Sequence, residues 1–273
     1  MDYLLEPFEP AFMQRALIGS VIAVVATSLI GTWVVLRGLS FLGDALAHGV
    51  IPGIALAILL GFSPIIGALG AALVMSGLVS AVSNRTVVRE DTAIGVLFVG
   101  MLSLGIVIVS QADSFSTEVT SLLFGDVLGV TRGDILRQTL ATAVVAITSA
   151  VLYRPFLALT FNRTKAQTLG MRPGLAHTAM LALLALSIVA SFQSIGTLLV
   201  FGLLVGPPAT ASLLVQRVSA IMALSALLGT LAVAAGLVVS FHHGTAGGAT
   251  IAGFSVLQFF LVLTARETTL ATR

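Results

Sequence analysis

The sequence contains no cysteine and few charged residues. Of its 273 residues, 9% are Asp, Glu, Lys or Arg, whereas 58% are hydrophobic. The absence of cysteine excludes disulfides and thiolate metal ligands. A soluble domain carries about 25% charged residues, so this chain lacks the side chains for a polar surface. The apolar surplus is therefore expected to face lipid, in an integral membrane protein.

Several motifs of catalysis and binding are also missing. The sequence has no Walker-type phosphate loop, so the chain is not expected to hydrolyse ATP. It has neither the G-x-S-x-G nor the H-E-x-x-H motif of hydrolases. The basic residues form no patch that would bind nucleic acid, and the N-terminus lacks the basic region and cleavage site of a signal peptide. These absences predict a membrane protein that is not an enzyme.

Continuous apolar stretches of membrane-spanning length recur along the whole chain. Only helices and closed barrels satisfy the backbone in lipid, and these stretches lack the alternation of barrel strands. We predict an all-α polytopic bundle of about nine transmembrane helices (eight to ten), forming one domain over residues 1–273. The predicted spans are 12–36, 45–61, 64–82, 93–110, 138–153, 176–192, 195–215, 219–241 and 249–265. Abundant Gly and Ala suit close packing of these helices.

The basic residues predict the orientation, because cytoplasmic loops are rich in Lys and Arg. An N-terminus outside and a C-terminus inside put ten basic residues in the cytoplasm and three outside. The ten are Arg37, Arg85, Arg89, Arg154, Arg163, Lys165, Arg172, Arg217, Arg266 and Arg273. The three are Arg15, Arg132 and Arg137. This orientation requires an odd number of spans.

Asp44 and His48 are the strongest candidates for a functional site. Their spacing of four residues places both side chains on one face of a helix. Ionisable residues at membrane depth are expensive and point to function. A carboxylate with an imidazole suits Zn²⁺ or Mn²⁺. From spacing alone, a helix-capping Asp44 with a packing His48 is equally compatible.

Two proline-containing segments are candidates for kinks or gates. Pro52 and Gly53 follow His48 and loosen the helix at a depth where irregular backbone tends to line a cavity. Pro207 and Pro208 interrupt a later apolar stretch. For Pro207 and Pro208, a plain kink is the simpler interpretation, and a break that serves as a gate is the functional one.

The remaining candidates lie in connections and at helix ends. The segment 160–174 is basic and predicts a short amphipathic helix from about 163 to 169, ended by Gly170 and Pro173. It is either a docking helix for a cytoplasmic partner or an ordinary basic loop. His242 and His243 at an outer helix end are weaker metal candidates. His177 is expected to be interfacial, and Asp126 to serve as a cap or in a turn.

The motifs together resemble one family. Residues 40–53 (SFLGDALAHGVIPG) are similar to the signature of zinc/manganese ABC importer permeases, the ABC-3 family. Residues 122–125 (LLFG) resemble its outer-loop motif, and 195–211 resembles its helix pair, with Pro208 in place of an Ala. Ala166 and the pair 169–170 resemble the coupling helix of the wider class that includes vitamin B12 and siderophore importers. The family's Leu-Asp-x-Pro-x-Gly-like element is replaced here by the segment that starts at His242.

This resemblance implies a type II ABC importer-like permease in the bacterial cytoplasmic membrane. Asp44 and His48 match the family's metal-contacting pair. The implied partners are two cytoplasmic ATPase subunits, an extracytoplasmic metal-binding protein, a second copy of the permease and membrane lipid. The ATPase-coupling residues implied by the resemblance are Arg163, Thr164, Lys165, Ala166, Leu169 and Gly170.

The metal is expected to be a transported substrate, with no permanently bound cofactor. The family resemblance favours zinc, with manganese or iron as alternatives. A function of another class is a self-contained secondary metal transporter or channel. Few acidic residues lie inside the spans, which argues against the proton relay that such a transporter would need.

Overall fold

The structure, a computed structural model, describes residues 6–85, 89–110, 127–162, 167–168 and 170–271. Every long element within these ranges is an α-helix. The helices are α1 (Ala11–Leu36), α2 (Ser40–Gly49), α3 (Ile51–Leu60), α4 (Pro64–Arg85), α5 (Glu90–Val109), α6 (Arg132–Val151), α7 (Tyr153–Phe161), α8 (Pro173–Ile195), α9 (Thr197–Leu214), α10 (Val218–His243) and α11 (Gly247–Ala271).

In the part of the chain that the structure describes, nine spans are long and apolar enough to cross a membrane, which agrees with the predicted number of about nine. Each span is one long helix except the second, which α2 and α3 form together over Ser40–Leu60. Successive spans connected end to end run in opposite directions, so an odd number places the two termini on opposite sides. The all-α membrane bundle predicted from the sequence is therefore confirmed.

Gly and Pro residues set several helix ends. Gly61 and Gly244 adopt left-handed φ angles of 73° and 62° directly after α3 and α10, a conformation that glycine reaches without a steric cost. Pro64 and Pro173 begin α4 and α8, where the missing N–H has no helical partner to lose.

Two predicted starts were too late in the chain. The second span begins at Ser40 rather than 45, so Asp44 lies inside α2 and does not cap it. The fifth begins at Arg132 rather than 138, because Thr131 and Asp134 form a reciprocal capping box. In both cases polar side chains within the first turns of a helix conceal its start from hydropathy.

The spans pack in two layers with one further helix outside them. The first layer runs α5, α2/α3, α9 and α11, and the second runs α4, α8, α1 and α10. Helix α6 packs against α1 and α8 from the side away from the first layer. Helices α1 and α8 are the most buried of the spans, and α5 and α6 are the least. The first layer therefore presents one open face of the bundle, and α6 covers part of the outer face of the second layer.

Glycines allow the closest helix approaches. A Cβ on Gly53 of α3 would lie 2.1 Å from the Gly67 carbonyl oxygen of α4, and a Cβ on Gly67 would lie 2.1 Å from the Gly53 oxygen. The two backbones are in direct contact there, so neither position has room for a side chain. The expected close packing of small residues is confirmed at this crossing.

We expect Gly53→Ala to lower the stability of the bundle by about 1–3 kcal/mol, because the added methyl group overpacks the α3–α4 crossing. The measurement is the unfolding temperature of the full chain in detergent. Gly70→Ala is the matched control. Gly70 lies on α4, as Gly67 does, but a Cβ on Gly70 would meet no atom within 4 Å. An equal effect of both variants would contradict this account.

Candidate functional site

His48 lies about two-fifths of the way along the second span, and Asp44 lies one helical turn nearer the Ser40 end. At a rise of roughly 1.5 Å per residue, His48 is roughly 12 Å from the Ser40 end of a span roughly 30 Å long. The helix breaks directly after this point, between Gly49 and Ile51. Pro52 causes the break, because it has no N–H to donate to the His48 carbonyl. The break is one residue long, since Val50 keeps helical φ and ψ angles of −78° and −17°, and a gating role of Pro52 and Gly53 remains a prediction.

The structure brings the two side chains together. His48 Nδ1 lies 3.5 Å from Asp44 Oδ1 and 3.1 Å from the Asp44 backbone oxygen. When Nδ1 carries the proton it donates to that backbone oxygen, and Nε2 then offers its lone pair to a cation. Fixing the tautomer through the other ring nitrogen is a common arrangement for metal-binding histidines.

Two aromatic rings support the site from one side. The His48 ring meets Phe98 of α5 edge to face, with centroids 6.0 Å apart. Phe98 in turn meets Phe41 of α2 edge to face at 5.7 Å. These contacts restrict the rotation of the imidazole.

The pair lies on the open face of the first layer. The side chains of Asp44 and His48 are 34% and 30% exposed on the single chain. A carboxylate at this depth is not stable against lipid hydrocarbon. This face therefore requires water or another protein surface next to it.

As a candidate metal site, the pair is incomplete within one chain. Among the described residues, no group of three or more His, Cys, Asp or Glu side chains is placed to hold a metal ion. A divalent ion binds four or more ligands, so further donors have to come from water, backbone or another chain. A weak, open site suits transport, because an ion that is held tightly does not leave.

The other proline pair lies inside a continuous helix. Pro207 and Pro208 are both buried in α9, which runs unbroken from Thr197 to Leu214. Two glycines make room for their rings: a Cβ on Gly31 of α1 would lie 3.2 Å from Pro208 Cγ, and one on Gly229 of α10 would lie 3.4 Å from Pro207 Cγ. The prolines thus fit between neighbouring helices, and a gating role remains a prediction.

Most of the expected coupling segment lies outside the described residues. Arg163, Thr164, Lys165, Ala166 and Leu169 belong to that part of the chain. Of the rest, residues 167–168 are helical and Gly170 has a φ of 72°, and the predicted helix over 163–169 remains a prediction.

The weaker metal candidates are not brought to the Asp44 site. His242 and His243 end α10, which packs against α1, α9 and α11, and the His242 ring contacts Phe241 at 5.4 Å. They remain a separate prediction for the outer end. Asp126 lies outside the described residues.

His177 was expected to be interfacial; it lies at an end of its span, but it is buried in a cluster of charged residues. Its side chain is 1% exposed and lies between Arg37 at the end of α1 and Glu90 at the start of α5. His177 Nδ1 accepts from Arg37 Nη1 at 2.8 Å, and Nε2 lies 3.2 Å from Glu90 Oε1. Arg37 Nη2 donates to Glu90 Oε2 at 3.4 Å. This ion-pair cluster joins the same ends of three spans.

Sequence reasoning missed the cluster because its members are far apart in the chain. Arg37 was counted as one of the basic loop residues, although its side chain is only 10% exposed. The available signal was the predicted topology, which places Arg37, Glu90 and His177 at one membrane side. Opposite charges at one end of adjacent spans are candidates for pairing.

Residues 9–266 match the ABC 3 transport family. The chain is 35% identical over 254 residues to the manganese import system permease protein ScaB of Streptococcus parasanguinis, covering 92% of this chain and 90% of that protein. It is 33% identical over 259 residues to the chelated iron transport system membrane protein YfeD of Yersinia pestis, covering 94% and 86%.

Solved structures agree with these relationships. PsaBC from Streptococcus pneumoniae, solved in complex with a Fab, superimposes with a TM-score of 0.83 and 29% identity, covering 96% of this chain and 94% of that chain. An inward-facing metal-chelate type ABC transporter shares the fold, with a TM-score of 0.70 at 15% identity and coverage of 94% and 85%. The match over nearly all of the sequence shows that this chain belongs to the ABC 3 transport family.

Proposed function

We propose that this chain is the membrane-spanning permease subunit of an ATP-driven importer for divalent metal ions, with manganese as its main substrate. The observation that carries the proposal is the Asp44/His48 pair. It lies inside the second span, beside the helix break that follows Gly49, on a face that lipid cannot cover.

The choice of manganese revises the preference for zinc that the sequence suggested. The relative ScaB is named for manganese, and YfeD is named for chelated iron. Carboxylate and water oxygens suit Mn²⁺, and imidazole is an acceptable additional ligand. The absence of cysteine is compatible with this choice, since soft thiolates would favour other metals.

A second copy of the chain would complete the pathway. A groove of about 490 Å³ between α9 and α11 opens on the same side as Asp44 and is lined by small residues such as Gly202, Gly206, Ala209 and Gly253. It adjoins α2, because a Cβ on Gly43 would lie 3.4 Å from Phe201 of the groove. Two copies facing each other here would bring together two Asp44 and two His48 side chains.

The energy for transport would come from separate subunits. The chain has no phosphate-binding loop of its own, so two cytoplasmic ATPase subunits would dock on the segment 160–174. An extracytoplasmic binding protein would deliver the ion to the outer side of the bacterial cytoplasmic membrane. Alternating access between these sides is the expected mechanism.

Uptake of radioactive ⁵⁴Mn²⁺ into proteoliposomes tests the proposal. The vesicles would hold the permease with its ATPase and binding protein, and zinc and iron would be measured in parallel. We expect ATP-dependent uptake with manganese as the preferred ion. Uptake that needs neither ATP nor the partner subunits would instead favour a secondary transporter or channel. Preferred uptake of zinc would overturn the assignment of manganese.

A further inference from the structure

A second groove opens on the bundle away from the Asp44 face. Helices α6 and α10 both pack against α1 but leave a gap of about 430 Å³ between them. The gap is lined almost wholly by apolar atoms, from side chains that include Val25, Leu29, Ala146, Ala150, Met222 and Ala226. Its volume is typical of small-molecule sites, about 300–1,000 Å³.

The groove runs from mid-membrane to the cytoplasmic end of the spans. The second half of α1 forms its floor. At the cytoplasmic end of the groove lie Tyr153, which comes just after α6, and Ser219, which is at the start of α10. The Tyr153 ring is held edge to face by the buried Trp33, with centroids 5.5 Å apart. An aromatic ring with a hydroxyl is suited to the membrane interface, so Tyr153 marks the headgroup level.

Positive charge flanks this end of the groove. Arg154 follows Tyr153, and Arg217 is the N-cap residue of α10, two positions before Ser219. Both arginines are exposed. The two connections that carry them, 152–172 and 215–217, contain no Asp or Glu. The cytoplasmic leaflet is rich in anionic lipids, to which such charges are complementary.

One polar group inside the groove has no partner in the protein. Ser149 is 3% exposed, lines the groove, and its Oγ makes no hydrogen bond. It lies one helical turn, roughly 6 Å, below Tyr153. A buried hydroxyl without a partner costs free energy, and rotation of the Ser149 side chain toward the groove would let it donate to an acceptor there.

We propose that the groove binds an anionic phospholipid of the cytoplasmic leaflet. One acyl chain fills the apolar gap over α1, and an ester carbonyl accepts a hydrogen bond from the Ser149 hydroxyl. The phosphate lies between Arg154 and Arg217. The second copy would not compete for this groove, because the Asp44 face belongs to the first layer and the groove lies beside α6.

Lipid titration of the full-length protein, read by native mass spectrometry, tests the inference. Phosphatidylglycerol is expected to bind more tightly than phosphatidylcholine. The double variant Arg154→Gln/Arg217→Gln is expected to weaken phosphatidylglycerol about 30-fold, from the attraction typical of two arginines near anionic lipid. The control Arg89→Gln/Arg266→Gln removes equal charge at the same membrane side, on helices that do not line the groove, and is expected to leave the affinity unchanged. Ala150→Phe is expected to weaken both lipids by filling the groove.

Three outcomes would overturn the inference. The first is equal affinity of the unmodified protein for the two lipids. The second is an equal loss of phosphatidylglycerol in the two double arginine variants. The third is a disulfide between two copies carrying Ala150→Cys, which would assign the groove to self-association. The sequence has no other cysteine, so that disulfide would be unambiguous. The lipid affinities and the disulfide are both measured without metal uptake. Their outcome is therefore separate from the proposed transport function.

Discussion

Metal uptake is expected to fall at least about 100-fold in Asp44→Ala and in His48→Ala. Loss of a residue that only supports a metal ligand costs about 10–100-fold in metal affinity or activity, so loss of a direct ligand is expected to cost no less. The two side chains lie 3.5 Å apart inside the second span and are its two ionisable residues. The measurement is ATP-dependent uptake in proteoliposomes that contain the assembled transporter.

Matched control variants distinguish a defect in the metal pathway from a general loss of transporter function. Asp91→Asn removes a carboxylate from the exposed first turn of α5. It is expected to retain uptake, whereas Asp44→Asn is expected to lose it. His242→Ala/His243→Ala tests the outer histidines. Normal uptake in Asp44→Ala with loss in the outer double variant would move the metal route to the end of α10.

The expected loss is not a consequence of unfolding. Asp44 and His48 are each about one-third exposed, and their removal leaves no large cavity in the packed interior. Elution of each variant with its ATPase on size exclusion checks assembly. A variant that assembles normally and hydrolyses ATP, but does not move the ion, would place its defect in the pathway.

The fold was largely predictable because lipid restricts the choice of structure. In lipid, a run of apolar residues satisfies its backbone hydrogen bonds mainly as a helix. The number of such runs therefore predicted about nine spans, and the structure has nine in its described part. Gly61 and Pro64 mark the turn between the second and third spans in the sequence as they do in the structure. Such signals are local, and each can be recognised within a few residues.

The details that were missed depend on contacts between distant residues. His177 is buried only because Arg37 and Glu90, 140 and 87 positions away, meet it at one membrane side. Hydropathy also placed the start of α2 after Asp44, because it does not distinguish a polar residue inside a helix from one that caps it. The identity of the metal was beyond the sequence too, since Asp and His bind zinc and manganese alike.

The Arg37–Glu90–His177 cluster leads to the second large expected effect. Arg37→Ala is expected to destabilise the bundle by about 3 kcal/mol, because it leaves Glu90 and the buried His177 without their cationic partner. The measurement is thermal or denaturant unfolding of the full chain in detergent. Arg89→Ala is the matched control: this arginine is the neighbour of Glu90 in sequence but is exposed, and its removal is expected to cost little.

A double variant distinguishes a paired cluster from simple loss of packing. If the ion pair is what matters, Arg37→Leu/Glu90→Leu is expected to be more stable than the sum of the two single changes predicts, because no charge is left unpaired. Strict additivity would contradict the pairing. The cluster ties the cytoplasmic ends of α1, α5 and α8, and Asp44 lies on the helix that follows Arg37 directly in the chain. The same contacts therefore position the start of the second span, and weakening them is expected to reduce uptake even in variants that remain folded.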